Sequence, residues 1–347
     1  MWTGRRRALH GRGAAALLVA CSALAMQSGL VLPASASAQA GGSQAEAAGK
    51  EAVTARGIDV SSFQHPGGAR IYWRSVAKAG YRFAFIKSTE GTYYVNPYFK
   101  ADAAAAEAAG LLVAAYHFAN PASSSGRAQA DYAVRHGAYQ ANGAMLRMIL
   151  DIEPDPYLSK FCYGLSPRQL ISWIAAFMTE AHRITGLRPV INTQPAWWKT
   201  CTGGTAAFAS DQLWVQDPTT KRTTPLLAKG WTRWAYWQYS ITARVAGVTG
   251  NTDVNKLTPS LLAVADPGNQ AGRPGTEVRL PVRSINASAG QSLHYRASNL
   301  PAGLRISATT GVITGTLPGR AGSTKVTIVI SAAGAAPVRW RFTWTTK

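Results

Sequence analysis

The sequence predicts an α/β protein: an irregular eight-stranded β/α barrel with fewer helices than strands, followed by a small all-β sandwich. Three observations carry this. Eight short, nearly continuous apolar runs lie between residues 55 and 265, as expected for strands buried on both faces of a parallel sheet. Helical patterns separate the first five runs and then thin out. The last seventy or so residues alternate apolar and polar with period two.

Taken in order, residues 1–40 have the layout of a secretory signal peptide. Arg5, Arg6, Arg7 and Arg12 form a basic start, residues 13–32 are apolar, and small residues from Pro33 to Ala40 offer cleavage sites. A membrane anchor is the alternative, and Leu18-Val19-Ala20-Cys21 leaves lipid attachment at Cys21 open. Residues 41–54 read as a flexible linker. The expected strands are 57–60, 82–88, 111–117, 147–153, 188–193, 212–216, 234–239 and a short one near Asp253. Helices are expected at about 71–80, 97–109, 125–141 and 166–185. The last has Ser166 as N-cap, Pro167 at its first position and Gly186 as a stop. Beyond Thr193 no clear long helix is visible. A doubly wound open sheet remains the alternative to a closed barrel. Residues 266–275, rich in Gly and Pro, read as an interdomain linker. In 276–347, Val338, Trp340, Phe342 and Trp344 face one way while Arg339, Arg341, Thr343 and Thr345 face the other, which suggests a sandwich.

Charge narrows the partners. The chain carries 36 Lys and Arg against 16 Asp and Glu, an excess that calls for an anionic partner. Export makes nucleic acid an unsuitable candidate and a cell-wall or cell-surface polymer the natural one. Residues 268–347 hold ten Lys and Arg and one acid, Glu277. That domain therefore reads either as a wall-polymer attachment surface or as an ordinary solvated basic surface. Outside the leader only Cys162 and Cys201 remain. In an oxidising compartment they should pair, the alternative being two separate thiols.

With few acids in the large domain, three places stand out: Asp59, the pair Asp151 and Glu153, and Asp253. Each is expected at the C-terminal end of a strand, the active-site face of a β/α barrel. Strand alternation points Asp151 and Glu153 the same way, their Cα atoms roughly 6.5–7 Å apart. Two nearby carboxyls suit glycoside hydrolysis, and Asp151 is expected to raise the Glu153 pKa by repulsion. An Asp-x-Glu pair is also common on solvated surfaces. His65, His117, His136 and His182 lack metal-site spacing, so neither a metal nor another cofactor is expected. Gly-x-Ser-x-Gly and phosphate-loop patterns are absent from the sequence.

These residues resemble the Chalaropsis-type lysozymes, glycoside hydrolase family 25. The resemblance runs through Gly57-Ile58-Asp59-Val60-Ser61 with Gln64, and through Phe85 to Tyr93. It continues in Ala115-Tyr116-His117-Phe118, Leu150-Asp151-Ile152-Glu153, Tyr236-Trp237-Gln238-Tyr239 and Asp253-Val254-Asn255. Cys162 to Ser166 and Trp197 to Gly203 resemble a secreted, disulfide-bearing branch. The resemblance covers about residues 55–262. It implies N-acetylmuramidase action on the β-1,4 bond between N-acetylmuramic acid and N-acetylglucosamine of bacterial peptidoglycan. Glu153 would be general acid and then base. Asp151 would orient the 2-acetamido group or act as nucleophile, and Asp59 and Asp253 would complete an acidic floor. Tyr116, Trp237 and Tyr239 would form sugar-stacking walls. Trp237 as barrel core, and Lys87 with Glu90 as a structural ion pair near the rim, are the plainer alternatives. Leu300 to Leu304 and Thr310 to Thr316 resemble Ig-like domains of bacterial surface and secreted proteins, which implies an Ig-like sandwich suited to adhesion, but no chemistry.

Two departures from the family pattern fall near the expected groove. Asn192 stands where the family often has Tyr, and Gln216-Asp217-Pro218 follows the Leu-Trp-Val strand where Ala-Arg and an aromatic are common. Asn192 is therefore an expected substrate contact, and a non-catalytic wall-binding barrel is the competing reading. An amidase or endopeptidase is a weaker one. The chain is expected to act as a monomer.

Overall fold

The structure, a computed structural model, describes residues 54–347 apart from 138, 140–142, 144, 156–159, 220 and 287–290. The expected signal peptide, the Cys21 lipid site and the 41–54 linker up to residue 53 lie outside the described residues.

The large domain follows the order β1 (Arg56–Val60), α1 (Trp73–Lys78), β2 (Tyr81–Glu90), β3 (Tyr94–Val95), α2 (Phe99–Ala108), β4 (Leu112–Phe118), α3 (Gly126–His136), β5 (Ile149–Asp151), α4 (Pro167–Thr185), β6 (Val190–Thr193), α5 (Pro195–Thr202), β7 (Leu213–Gln216), β8 (Tyr236–Ala243) and β9 (Thr252–Leu257). Strands β1, β2, β4, β5, β6, β7, β8 and β9 pair in that sequence, and β9 pairs back to β1. The eight-stranded barrel is thus closed, which removes the open-sheet alternative. The two-residue β3 only extends β2 as a hairpin. All neighbours are parallel up to β8, whereas β9 runs antiparallel to both β8 and β1. Residues 244–251 between β8 and β9 are too few for a helical crossover, so the chain turns back on itself.

Side chains fill the barrel. Phe85 packs against Trp214 and Tyr236 with ring centroids 4.6 and 4.9 Å apart. Gly57 makes room for this core: a Cβ there would lie 2.1 Å from the Phe83 ring. Outside the barrel, α4 buries Trp173, Ile174, Phe177 and Met178. Its start is the expected one: Ser166 accepts from the Gln169 amide and the Gln169 side chain returns the bond. Gly186 closes it in the left-handed region at φ 75°. Cys162 and Cys201 are disulfide-bonded, Cα atoms 5.3 Å apart, tying the loop before α4 to the short α5 that the sequence reading did not foresee.

The remaining strands are β10 (Leu262–Val264), β11 (Gln270–Gly272), β12 (Glu277–Pro281), β13 (Ser284–Asn286), β14 (His294–Ser298), β15 (Leu304–Ile306), β16 (Val312–Thr316), β17 (Gly322–Ser331) and β18 (Val338–Thr346). They form sheets β11-β18-β17-β14, β12-β16-β15 and β10-β13 around a core that includes Val326, Ile328, Ile330, Trp340, Phe342 and Trp344. The expected linker at 266–275 is corrected, because Gln270–Gly272 is a sandwich strand paired with β18 and Leu262–Val264 already pairs with β13. Gly and Pro in that stretch mark turns between strands.

The sandwich sits against the barrel end formed by the strand starts. Ala263, Ala265 and Ile285 join the cluster of barrel-interior residues that includes Leu112, Leu146, Ile149 and Val190. Around this apolar plug, Arg283 donates to the Leu111 carbonyl at 2.8 Å and the Asp266 amide to Met145 at 2.7 Å.

Candidate active site

The opposite end of the barrel, where the parallel strands finish, opens into a cleft of about 670 Å³. All four expected carboxylates line it: Asp59, Asp151, Glu153 and Asp253. On β5 and just beyond it, Ile149, Asp151 and Glu153 face the barrel interior. Leu150 and Ile152, both fully buried, pack outward under the helices. Asp253 reaches the cleft by a different route from the expected one. It is the second residue of β9, near the start of the strand, and faces Asp59 in register. Because β9 is antiparallel, its beginning lies at the mouth where β1 ends.

Amides organise the carboxyls. Asn255 donates to Asp59 at 2.7 Å, and Gln238 donates to both Asp59 oxygens at 3.3 and 3.1 Å and to Asp253 at 3.4 Å. Trp214 Nε1 holds Asn255 at 2.8 Å. A second chain of amides has a fixed direction. Asn192 Nδ2 donates to the Trp214 backbone carbonyl at 3.0 Å, which leaves its oxygen to accept from Gln216 Nε2 at 2.5 Å. Gln216 Oε1 then accepts from Gln194 Nε2 at 3.1 Å, and Gln194 Nε2 also donates to Glu153 Oε2 at 3.2 Å. A backbone carbonyl can only accept, so the relay must end in an N–H aimed at Glu153. From the other side, the Tyr163 hydroxyl donates to the Glu153 carbonyl at 2.9 Å. Asp151 differs from the rest: among the described residues its buried Oδ1 has no hydrogen-bond partner.

Burial dominates the electrostatics. It pushes the Glu153 pKa up to about 7; amide donors Gln216 and Gln194 oppose it, and the charge of Asp59 adds to it. Asp59 is raised to about 6, burial outweighing the hydrogen bonds from Asn255 and Gln238. Asp253 is raised to about 9 by burial and then by the charges of Asp59 and Glu153. Asp151 is raised well above the carboxylate range, by burial first and the charge of Glu153 second. The expected repulsion between Asp151 and Glu153 is present and favours keeping a proton on the pair, while burial is the larger cause for both carboxyls. A cleft that keeps several carboxyls protonated near neutrality can donate a proton, while Asp59, ionised above about 6, supplies negative charge that stabilises a positive charge developing in a substrate.

The remaining expected contacts divide. Tyr116 lines the cleft wall. Trp237 and Tyr239 do not: they flank the inward Gln238 on β8 and point outward. Trp237 is 1% exposed, its Nε1 donates to the Asp217 carbonyl, and Lys256 lies over both rings. Asn192 is also corrected from substrate contact to support, since it is fully buried beneath Gln216. Lys87 and Glu90 form an ion pair, and Lys87 reaches the cleft edge. His117 stays behind the wall, bonded to Thr89 and Gln129. Residues not expected in the lining include Phe63, Phe118, Gln194 and Trp214. Phe63 is 77% exposed, and a sequence reading has no signal to separate such a residue from a core phenylalanine. A second hollow of about 550 Å³, lined by Tyr93, Tyr94 and Asn120, shares Phe63 and Lys87 with the first, so the cleft continues as a groove.

A closed β/α barrel with a carboxyl-floored groove at its strand-end mouth defines a glycoside hydrolase. The family follows from comparison: residues 58–248 match the model of Glycosyl hydrolases family 25, and the chain belongs to that family. Residues 258–347 match the family described as Putative Ig domain. Lysozyme M1 of Streptomyces globisporus is 42% identical over 216 residues, covering 61% of this chain and 71% of that protein. The N,O-diacetylmuramidase of Chalaropsis sp is 35% identical over 191 residues, covering 54% and 88%. Among solved structures, the bacterial lysozyme from Streptomyces coelicolor is 41% identical with a TM-score of 0.55, covering 59% of this chain and 92% of that one.

Proposed function

We propose that this chain is a secreted, retaining N-acetylmuramidase. It cuts the β-1,4 bond between N-acetylmuramic acid and N-acetylglucosamine in bacterial peptidoglycan. The observation that carries the reading is the set of four carboxyls in one groove, with Glu153 held near pKa 7 by burial against two amide donors. The lysozyme and muramidase relatives support the substrate. The basic, apolar-cored leader and the Cys162–Cys201 disulfide support export.

In the first step Glu153 gives its proton to the glycosidic oxygen as the C1–O bond breaks, and the leaving sugar departs with a hydroxyl. Positive charge then develops at C1. The buried Oδ1 of Asp151, without a hydrogen-bond partner among the described residues, meets it in one of two ways. It accepts the N–H of the 2-acetamido group while the acetamido oxygen closes on C1, or, in its ionised form, it bonds to C1 itself. In the second step the Glu153 carboxylate takes a proton from water, whose oxygen attacks C1 as the C1–O bond formed in the first step breaks; this releases the acetamido group or the Asp151 carboxylate and restores the starting protonation. Asp59 and Asp253, cross-linked by Gln238, form the floor, and the charge of ionised Asp59 disfavours negative and favours positive charge above it. Asn192 and Gln216 depart from the family pattern, yet both are built into the support of Glu153, which favours a working groove over a drifted one.

The test is mass analysis of fragments released from purified peptidoglycan, with borohydride reduction to mark new reducing ends. Label on muramic acid is expected. Label on glucosamine, or release of amino groups without reducing sugar, would refute the assignment. Strands lacking the muramic N-acetyl group separate the two roles of Asp151: they resist cleavage only if the acetamido oxygen is the nucleophile.

A further inference from the structure

The outer face of the sheet β11-β18-β17-β14 carries positive charge without counter-charge. Strand alternation buries Tyr295, Val326, Ile328, Ile330, Trp340, Phe342 and Trp344 inward. It turns Arg296, Lys325, Arg339 and Arg341 outward, all four exposed. The register arranges them in rows. Arg296 and Arg339 flank Val329, Ser298 and Arg341 flank Thr327, and Lys325 lies beside Thr343. Strand spacing sets Arg296 and Arg339 roughly 10 Å apart, and Arg339 and Arg341 roughly 7 Å apart along β18. Among the described residues none of the four takes part in an ion pair. The acid of this region, Glu277, sits on β12 in another sheet. A surface kept soluble by charge ordinarily mixes both signs, since like charges repel.

We propose that this face binds a wall polymer whose repeating units are joined by phosphodiesters. The proposal rests on the muramidase reading for the place where such a partner is met. The chemistry argues for phosphate: three of the four cations are Arg, whose planar fork pairs two N–H donors with phosphate oxygens. The interleaved hydroxyls of Ser298, Thr327 and Thr343 supply further donors. Cations roughly 7–10 Å apart on one sheet face suit an extended chain of repeating anions, which bind collectively and with steep salt dependence. The sandwich occupies the barrel end opposite the cleft, so a polymer held there leaves the cleft free for glycan.

The experiment uses the full mature chain and a variant carrying Arg296→Gln, Lys325→Gln, Arg339→Gln and Arg341→Gln. A control variant loses the same charge from exposed barrel positions: Arg74→Gln, Lys78→Gln, Lys100→Gln and Lys199→Gln. Co-sedimentation is measured with walls retaining their phosphodiester polymers and with the same walls stripped of them. The wild type and control are expected to sediment with intact walls, and the face variant to be retained about tenfold less or weaker. Stripping should abolish the difference. Equal retention of face variant and wild type would overturn the proposal, as would equal loss in the control, undiminished binding to stripped walls, or preference for anionic vesicles or a polyuronate. Reducing-end release from stripped walls is recorded in parallel. It should be unchanged in all three proteins, and its absence in all three would sink the muramidase reading without touching the binding result.

Discussion

Among the described residues Asp151 is the least satisfied of the four carboxyls, Asp59 accepts the most hydrogen bonds, and Glu153 stands at the end of the amide relay. Glu153 near pKa 7 must be protonated to serve as acid, so the rate is expected to fall as pH rises through about 7. Asp59, near 6, gives its charge to the floor above that value, so the acid limb belongs near 6. Gln194→Ala removes a donor that favours ionised Glu153. It should move the basic limb upward and lower kcat about tenfold; a pH–rate profile with an unmoved limb would show that the amide relay does not govern Glu153. A second expectation concerns stability. The folded-state pKa of Asp253 is raised from 3.8 to about 9, so the folded state holds its proton more tightly than the unfolded chain does. That contribution is fully present below about pH 4 and is lost as pH climbs toward 9. Asp253→Asn should therefore raise the melting temperature at pH 8 by a few degrees and change it little at pH 4; thermal scans at both values check the sign. The carboxylates were legible because strand alternation and scarcity single them out. Asn192 and Gln216 stood out as departures from the family pattern, but their role beneath Glu153 did not, and Gln194 follows no distinctive spacing. Trp237 and Tyr239 were misplaced by parity: in a strand apolar on both faces, only the polar Gln238 between them marks which side is the cleft.

At the scale of elements, the strand pattern was readable because burial on both faces leaves unbroken apolar runs, and α4 because its caps are explicit. Direction was not readable. The antiparallel β9 follows from a short connection, and it alone brings Asp253 to the mouth. The eight-residue α5 was missed for want of length, although Pro195 stands at its first position. Its value is structural: the disulfide fastens α5 to the segment bearing Tyr163, whose hydroxyl holds the Glu153 backbone. Closing 39 residues of chain stabilises the fold by about 4 kcal/mol on the chain-entropy view. The paired substitution Cys162→Ser with Cys201→Ser should lower the melting temperature by about 10 °C and reduce kcat more than it raises KM. Calorimetry and steady-state kinetics check both, and an unchanged kcat below the new melting point would detach the disulfide from the site.

Over the whole molecule as described, from residue 54 on, barrel and sandwich belong to one compact unit. The Gly and Pro content of 266–275 suggested two bodies on a tether, because turn residues look alike in linkers and between strands. The apolar contact of Ala263, Ala265 and Ile285 with the barrel interior argues for coupled folding. A single calorimetric transition is expected for the mature chain, and two separated transitions would contradict the coupling. The account as a whole depends on Glu153 delivering a proton inside the carboxyl groove. Glu153→Gln keeps the shape and the partner atoms and removes the acid. Release of reducing ends from purified peptidoglycan should drop about 10²–10⁴-fold while the melting temperature stays within a few degrees of wild type. A correctly folded Glu153→Gln protein that clears walls at the wild-type rate would contradict the account.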